Sequence, residues 1–125
     1  KVVRSIPLAR RPSDIVPHER ITDGKRLLYI PAYEANLIQV VDPEISAIVG
    51  EIELGARPYD LEIDRGPFCR VGTLERCLGY VTLFDDLPRA GGRCEDQRDK
   101  PCGSVGIIDL NPMSPRYHQL VGKIH

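Results

Sequence analysis

The chain has 125 residues, of which 42% are hydrophobic, and its 17 basic and 18 acidic side chains give a formal net charge of −1. A charge this close to zero provides no electrostatic attraction for nucleic acid or for an anionic membrane surface, so neither is expected as a partner. No apolar run approaches the roughly 20 residues that a membrane-spanning helix needs. The sequence therefore predicts a globular domain without a membrane-spanning segment.

Six short segments have the pattern of β-strands. They are rich in Ile, Val, Leu and Tyr and are bounded by turn residues such as Asp23-Gly24 and Asp42-Pro43. No segment has apolar residues at helical spacing over three turns, and eleven Gly and eleven Pro interrupt most helical candidates. In chain order the predicted strands are 28–33, 37–42, 49–54, 59–64, 78–84 and 105–110. The sequence thus predicts an all-β fold.

The chain contains an internal repeat, in which residues 6–15 (IPLARRPSDI) return as residues 52–61 (IELGARPYDL). Further blocks recur in the same order at offsets that grow from 46 to 72. Matched pairs along the repeat are Pro12 and Pro58, Tyr29 and Tyr80, Asp42 and Asp109, and Ile52 and Ile124. Offsets that rise only in steps indicate a common framework whose loops lengthen in the second copy. Such a repeat predicts supersecondary units that stack on one another to bury their hydrophobic faces.

Four short antiparallel strands at a period of about 40 to 50 residues are typical of a β-propeller blade. The expected unit runs through strands 49–54, 59–64, 78–84 and 105–110. The segment 79–83 (GYVTL), followed by 104–109 (SVGIID) and 121–124 (VGKI), resembles the YVTN-type β-propeller repeat. This resemblance extends over nearly the whole chain outside the cysteine-bearing insertions, and it implies blades of four antiparallel strands.

The length of the chain allows about two such blades, whereas a closed propeller has roughly 4 to 8. Residues 1–125 are therefore expected to form part of a single β-propeller domain with an incomplete ring and with insertions near 66–78 and 85–104. Either the remaining part of a longer propeller or several copies of the chain would complete the ring. The first is favoured, because terminal repeats normally have modified, polar outer faces.

The four cysteines fall into two local pairs, Cys69 with Cys77 and Cys94 with Cys102, each separated by seven residues. Two thiols at the neck of a short loop can reach disulfide geometry, and of the three possible pairings this local one is the simplest. An even number of cysteines in loops favours an oxidising compartment, so we expect an extracytoplasmic protein, whether periplasmic, cell-surface or secreted. Zinc binding and free thiols are the alternatives, although structural zinc ligands usually lie two to four residues apart.

The insertion 85–104 is long for a blade hairpin and too polar for a core. We consider it as a solvated decoration, as a loop that binds a protein, or as a calcium site built from carboxylates. Its candidate binding residues are Asp85, Asp86, Arg89, Arg93, Glu95, Asp96 and Asp99, of which the five acidic ones are the candidate calcium ligands. No recognised calcium-loop spacing is present, and no other cofactor is predicted.

Two pairs of charged residues recur at equivalent places in the repeat. Asp14 and Asp60 each follow a proline by two positions, and we expect their carboxylates to accept hydrogen bonds from backbone amides in a turn. The alternative is a ring of carboxylates that binds an ion near a propeller channel. Arg11 and Arg57 are expected to contact the neighbouring blade.

The resemblance implies two kinds of function. Many proteins with YVTN-type propellers are surface-associated, which implies a non-catalytic extracytoplasmic module that binds another protein or an envelope component. Similar propellers also house enzymes of the lactonase or lyase type, with a metal-dependent site at the central channel that needs residues from several blades. We expect the binding module, with a protein or the rest of the propeller as its partner and with no catalytic residue on this chain.

Overall fold

The computed structural model describes residues 2, 4–65, 67–72, 76–86 and 102–124. Within this part of the chain eight β-strands account for nearly all regular structure, with short 3-10 turns at Tyr33–Ala35 and Pro67–Cys69. The strands are β1 (Val16–Glu19), β2 (Arg26–Ala32), β3 (Leu37–Asp42), β4 (Ala47–Glu53), β5 (Arg57–Ile63), β6 (Leu78–Asp86), β7 (Cys102–Asp109) and β8 (Leu120–Ile124). The prediction of an all-β fold is confirmed.

The described strands form two four-stranded antiparallel sheets, ordered β1-β2-β3-β4 and β5-β6-β7-β8. The strand grouping expected from the sequence is wrong in one respect. The predicted strand 49–54 corresponds to β4, which pairs with β3 and completes the first sheet. A short turn after Asp42 joins β3 to β4 and makes them partners, as in any hairpin. The next connection contains Gly55, whose φ of 72° suits glycine, and leads the chain to the second sheet.

β1 is a strand that the sequence does not predict, because Val16–Glu19 lacks an apolar run. Just before β1, Pro12 forms an isolated bridge with Ala32. Pro58 pairs with Leu83 at the equivalent place in the second sheet. Residues 12–19 are therefore the counterpart of β5, and each sheet begins with its own Arg-Pro segment.

The sequence repeat is reproduced in the register of the strands. Equivalent residues make equivalent pairs, Tyr29 with Val40 in the first sheet and Tyr80 with Ile107 in the second. A β-bulge follows Val40 in the first sheet and follows Ile107 in the second. Bulges disrupt pairing at one residue and bend the strand, so their recurrence at one repeat position shows that the two sheets are built alike.

The two sheets stack through opposite faces. We call the side that carries Tyr29 or Tyr80 the front face of its sheet, and the side that carries Ile30 or Val81 the back face. The front face of the first sheet and the back face of the second belong to one hydrophobic core. The front-face members are Tyr29, Ile38, Val40 and Ile52, and the back-face members are Val81, Leu83 and Ile108. The second sheet therefore follows the first in a head-to-tail stack.

The back face of the first sheet is also covered, by the chain that precedes β1. The backbone N–H of Ala9 donates a hydrogen bond to Gln39 Oε1 at 2.8 Å, and Arg4 Nη1 donates one to Ser46 Oγ at 3.1 Å. Ile30, Ala32 and Val41 are buried on this face. Both faces of the first sheet are thus covered along β2 and β3.

The two ends of the sheets carry different connections. The β2–β3 and β4–β5 connections, the end of β6 and the start of β7 lie at one end, which we call the groove end. The β1–β2, β3–β4, β5–β6 and β7–β8 connections lie at the opposite end, the turn end, where Asp42 and Asp109 form equivalent turns. Their Oδ1 atoms accept hydrogen bonds from the backbone N–H two residues on, Glu44 at 3.0 Å and Asn111 at 2.9 Å. The Val-Asp and Ile-Asp strand endings of the repeat therefore shape turns.

Candidate functional site

One of the two predicted cysteine pairs lies within the described residues. The Sγ atoms of Cys69 and Cys77 are 2.04 Å apart and their Cα atoms 4.8 Å apart, which is disulfide geometry, in the β5–β6 connection at the turn end. Cys94 lies outside the described residues. Cys102 begins β7, but its side chain is outside the described part, so the second pairing stays a prediction.

The predicted binding loop lies largely outside the described residues. Asp85 and Asp86 close β6, and only their strand pairing is described, with Asp86 opposite Cys102. The remaining candidates, Arg89, Arg93, Glu95, Asp96 and Asp99, fall outside the described part. Because β6 ends and β7 begins at the groove end, the segment 87–101 joins the sheet there.

A groove of about 390 Å³ lies at the junction of the two sheets, at the groove end. It is lined by residues from the Arg-Pro segment of the first sheet, from the 3-10 turn after β2 and from β5 and β6. They are Arg11, Pro12, Ser13, Tyr33, Tyr59 and Phe84. Phe84 directly precedes Asp85, so the groove adjoins the loop that the sequence singles out. The groove is the candidate functional site.

Three aromatic rings form the apolar wall of the groove. The ring centroid of Phe84 lies 6.1 Å from that of Tyr33 and 5.5 Å from that of Tyr59, with edge-to-face angles of 67° and 73°. Edge-to-face pairs of this spacing hold one another in place. Tyr59 and Phe84 are nevertheless 48% and 47% exposed. The groove thus presents a partly exposed apolar surface with phenol hydroxyls beside it.

Two guanidinium groups lie beside these rings. Arg57 Cζ is 5.5 Å from the ring centroid of Tyr33 in the other sheet, a cation–π contact. Arg11 Nε lies 3.2 Å from Glu34 Oε1 within its own sheet. The expected contact with the neighbouring unit is therefore confirmed for Arg57, whereas Arg11 pairs locally. The pair at Arg11 is exposed and contributes little to stability.

Hydrogen bonds between the sheets fix the floor of the groove. Ser13 Oγ donates to the backbone carbonyl of Tyr59 at 2.8 Å. Asp14 accepts from the N–H of Ile15 at 2.8 Å and from the N–H of Leu61, in the second sheet, at 3.3 Å. The expectation that Asp14 bonds backbone amides is confirmed, and one of these bonds crosses between the sheets. Within the described residues no group of three or more His, Cys, Asp or Glu side chains could hold a metal ion.

A second polar cluster, partly buried and formed with the β7–β8 connection, ties the two sheets together. Tyr29 Oη lies 2.8 Å from His118 Nε2, and the His118 ring stacks on Tyr117 with centroids 3.8 Å apart. Burial is the main cause that lowers the pKa of His118 to about 4, and burial also lowers the pKa of His18 beside Tyr29. Both imidazoles are therefore neutral near pH 7. Because Tyr29 lies in β2 and His118 in the β7–β8 connection, this bond joins the two sheets.

No family model, curated protein or solved structure matches the chain. What the chain does is therefore inferred from its residues and their geometry. Among the described residues, the structure contains no helix with the length and apolarity needed to cross a membrane.

The sequence does not predict the groove, although the repeat contains a signal for it. Tyr33 and Phe84 occupy equivalent positions, just after the matched strands, and both are aromatic. A large aromatic residue retained at an exposed repeat position indicates a surface contact. Tyr59 is different, because its counterpart is Ser13, and only the packing of the two sheets brings it to the same groove.

Proposed function

We propose that this chain is part of an extracytoplasmic β-propeller of the YVTN type that binds a protein partner at the junction of its two sheets. The propeller architecture is supported by two four-stranded meanders of equal register that stack head to tail, as adjacent blades do. The compartment is supported by the Cys69–Cys77 pair, because disulfides persist outside reducing cytosol.

The groove between the sheets carries the binding proposal. Tyr, Phe and Arg are enriched at protein interfaces, and buried aromatic or arginine anchors contribute most of the binding energy. Here three aromatic rings and Arg11 line one groove, Arg57 lies against the ring of Tyr33, and Tyr59 and Phe84 are about half exposed. Rings that already hold one another lose little entropy when a ligand covers them.

The groove favours an extended segment of the partner protein. Aromatic-lined grooves accept proline-rich and apolar side chains of extended peptides, and the volume of about 390 Å³ is enough for a few such side chains. The guanidinium group of Arg57, which lies against the Tyr33 ring, favours an acidic residue beside the groove, whereas the charge of Arg11 is paired with Glu34. The ligand is therefore expected to combine proline or apolar residues with a carboxylate.

Selection of a phage-displayed peptide library on the chain tests this proposal, followed by calorimetric titration of the enriched peptides. We expect enriched sequences with apolar and acidic residues. Phe84→Ala and Tyr59→Ala should each weaken binding about tenfold or more, since hot-spot truncations cost about 2 kcal/mol. Ile45→Ala, an exposed side chain at the turn end, is the matched control and should bind as the parent does. Peptides that bind both groove variants with parental affinity would contradict the proposal.

A further inference from the structure

The second sheet exposes the same apolar front face that the first sheet buries. The equivalent pairs are Tyr29 and Tyr80, Ile38 and Val105, Val40 and Ile107, and Ile52 and Ile124. All four members in the first sheet are 0% exposed. In the second sheet Tyr80, Val105 and Ile107 are only partly buried, and Ile124 is 57% exposed. The apolar pattern is thus present twice, and the described chain covers it once.

What covers the front face in this fold is the back face of another sheet of the same repeat. The front face of the first sheet lies in one core with Val81, Leu83 and Ile108 of the second sheet. Isolated large apolar patches on a protein surface mark interaction sites. Because the front face of the second sheet has the same register and bulge as that of the first, it fits the same kind of cover.

Asp60 provides a second observation that points to the same occupant. Its counterpart Asp14 accepts a hydrogen bond at 3.3 Å from the N–H of Leu61, in β5, the first strand of the covering sheet. Asp60 is exposed, and no residue in the described ranges donates a hydrogen bond to its carboxylate. The strand register skips between Pro58 and Leu61, where the backbone N–H of Asp60 donates to Thr82 Oγ1 at 3.0 Å and Thr82 Oγ1 donates to the Asp60 carbonyl at 3.5 Å. These bonds tie the Asp60 backbone to β6 and do not use its carboxylate. Asp60 therefore occupies the position from which a carboxylate can accept a hydrogen bond from the first strand of a covering sheet.

We propose that the front face of the second sheet, with Asp60, is a docking surface for a further four-stranded sheet of this repeat. The incoming sheet packs its back face on Tyr80, Val105 and Ile107. A backbone N–H of its first strand donates a hydrogen bond to the Asp60 carboxylate. This inference rests on the proposed propeller architecture and specifies the contact that continues it.

The occupant that fits is a unit joined after β8 as β5 is joined after β4. Three residues, 54–56, carry the chain from the end of β4 to the start of β5 on the front face of the first sheet. β8 is the counterpart of β4 and ends beside the open face. A second copy of this chain is disfavoured, because the back face of its first sheet is already covered by the segment that contains Arg4 and Ala9.

Thiol labelling of an extended chain tests the docking surface. A second copy of residues 54–124 is appended after His125, and Ile124→Cys in the first copy is the probe. Its maleimide reaction is followed by mass against the same chain without the new cysteine. In the unextended chain Ile124→Cys should react as a surface thiol, and Ile52→Cys, at the equivalent buried position, sets the protected limit. In the extended chain we expect Ile124→Cys to react at least tenfold more slowly, and Asp60→Ala should restore part of the rate.

A second extended chain guards against an added unit that fails to fold. It carries a copy of residues 8–53 in place of residues 54–124 and uses the same probe. If Ile124→Cys reacts at the surface rate in both extended chains, the proposal is overturned. Protection in the unextended chain that increases with protein concentration would assign the face to a second copy and would also overturn it. Peptide binding at the groove is measured on the unextended chain, so either proposal can fail without the other.

Discussion

The two sheets differ in burial although they have the same register. In β3 of the first sheet five of six residues are buried, whereas buried and more exposed residues alternate along β7 of the second sheet. The first sheet is covered on both faces and the second on one. A sheet with two covered faces has continuous apolar strands, and a half-covered sheet has alternating ones. Position in the stack, rather than residue type, therefore decides which isoleucines and valines are core residues.

The largest expected effect comes from one substitution made in both sheets. Ile52→Ala removes a fully buried side chain, and we expect the free energy of unfolding to fall by about 2 to 5 kcal/mol. Ile124→Ala, at the equivalent but exposed position, should change it by less than about 0.5 kcal/mol. Urea denaturation followed by circular dichroism measures both. Equal losses in the two variants would show that the front faces are not different in the folded chain.

A second comparison concerns the connection between the first two strands of each sheet, which lies at the turn end in both. The β1–β2 connection is closed by the ion pair of Arg20 and Asp23, and the Arg20 hydrogen bond lowers the pKa of Asp23 to about 2. The longer β5–β6 connection is closed by Cys69 and Cys77. The first closure is solvent-exposed and weak, whereas a disulfide restrains the unfolded chain.

Removing each closure should separate their contributions. Replacing both Cys69 and Cys77 by alanine should lower the free energy of unfolding by about 2 to 3 kcal/mol, the loop-closure entropy of a ring of this size. Asp23→Ala should leave it unchanged within error, because its carboxylate is exposed to solvent. Denaturant titrations of the two variants and the parent provide the measurement. A destabilised Asp23→Ala would contradict the assignment of the main constraint to the longer connection.

The fold could be predicted to the level of strands and their repetition, because turn residues and short apolar runs act locally. The assignment of strands to sheets was less predictable. The repeat boundaries in sequence do not coincide with the sheet boundaries, so β4 was grouped with the wrong sheet. Pro31 illustrates why an interior strand tolerates proline. Its carbonyl accepts from the N–H of Ser13, which lies before the start of β1, so the missing donor falls where little pairing is lost.

The candidate site was less predictable than the fold. The groove depends on how Tyr59 of one sheet approaches Tyr33 of the other, a distance between residues far apart in sequence. The hydrogen bond between Tyr29 in β2 and His118 in the β7–β8 connection likewise joins residues 89 positions apart. Sequence patterns reveal local periodicity, and neither of these long-range contacts produces a periodic pattern. The aromatic match of Tyr33 with Phe84 was the one signal available from the repeat.

The smallest expected effect concerns the pH dependence of the buried front face, where His118 bonds Tyr29. The pKa of His118 is lowered from 6.5 to about 4 by burial, so the unfolded chain binds more protons than the folded one between these values. Stability then rises with pH, and it is lost as the pH falls from about 6.5 towards 4. His18, whose pKa is also lowered, adds to the loss with the same sign. Complete burial would make the His118 contribution about 3 kcal/mol, and its partial exposure reduces this to about 1 to 2 kcal/mol.

His118→Asn isolates this contribution, because asparagine tolerates the left-handed backbone at this position, where φ is 61°, and does not titrate. We expect the slope of unfolding free energy against pH between 6.5 and 4 to be smaller in the variant by the share of one histidine. The carboxylates with lowered pKa values, such as Asp42 beside Lys25, lose their stabilising effect at more acidic pH and therefore do not obscure this window. An unchanged slope would mean that His118 is as solvated as a histidine on the open front face would be, and the contrast between the two sheets would then not extend to their polar contacts.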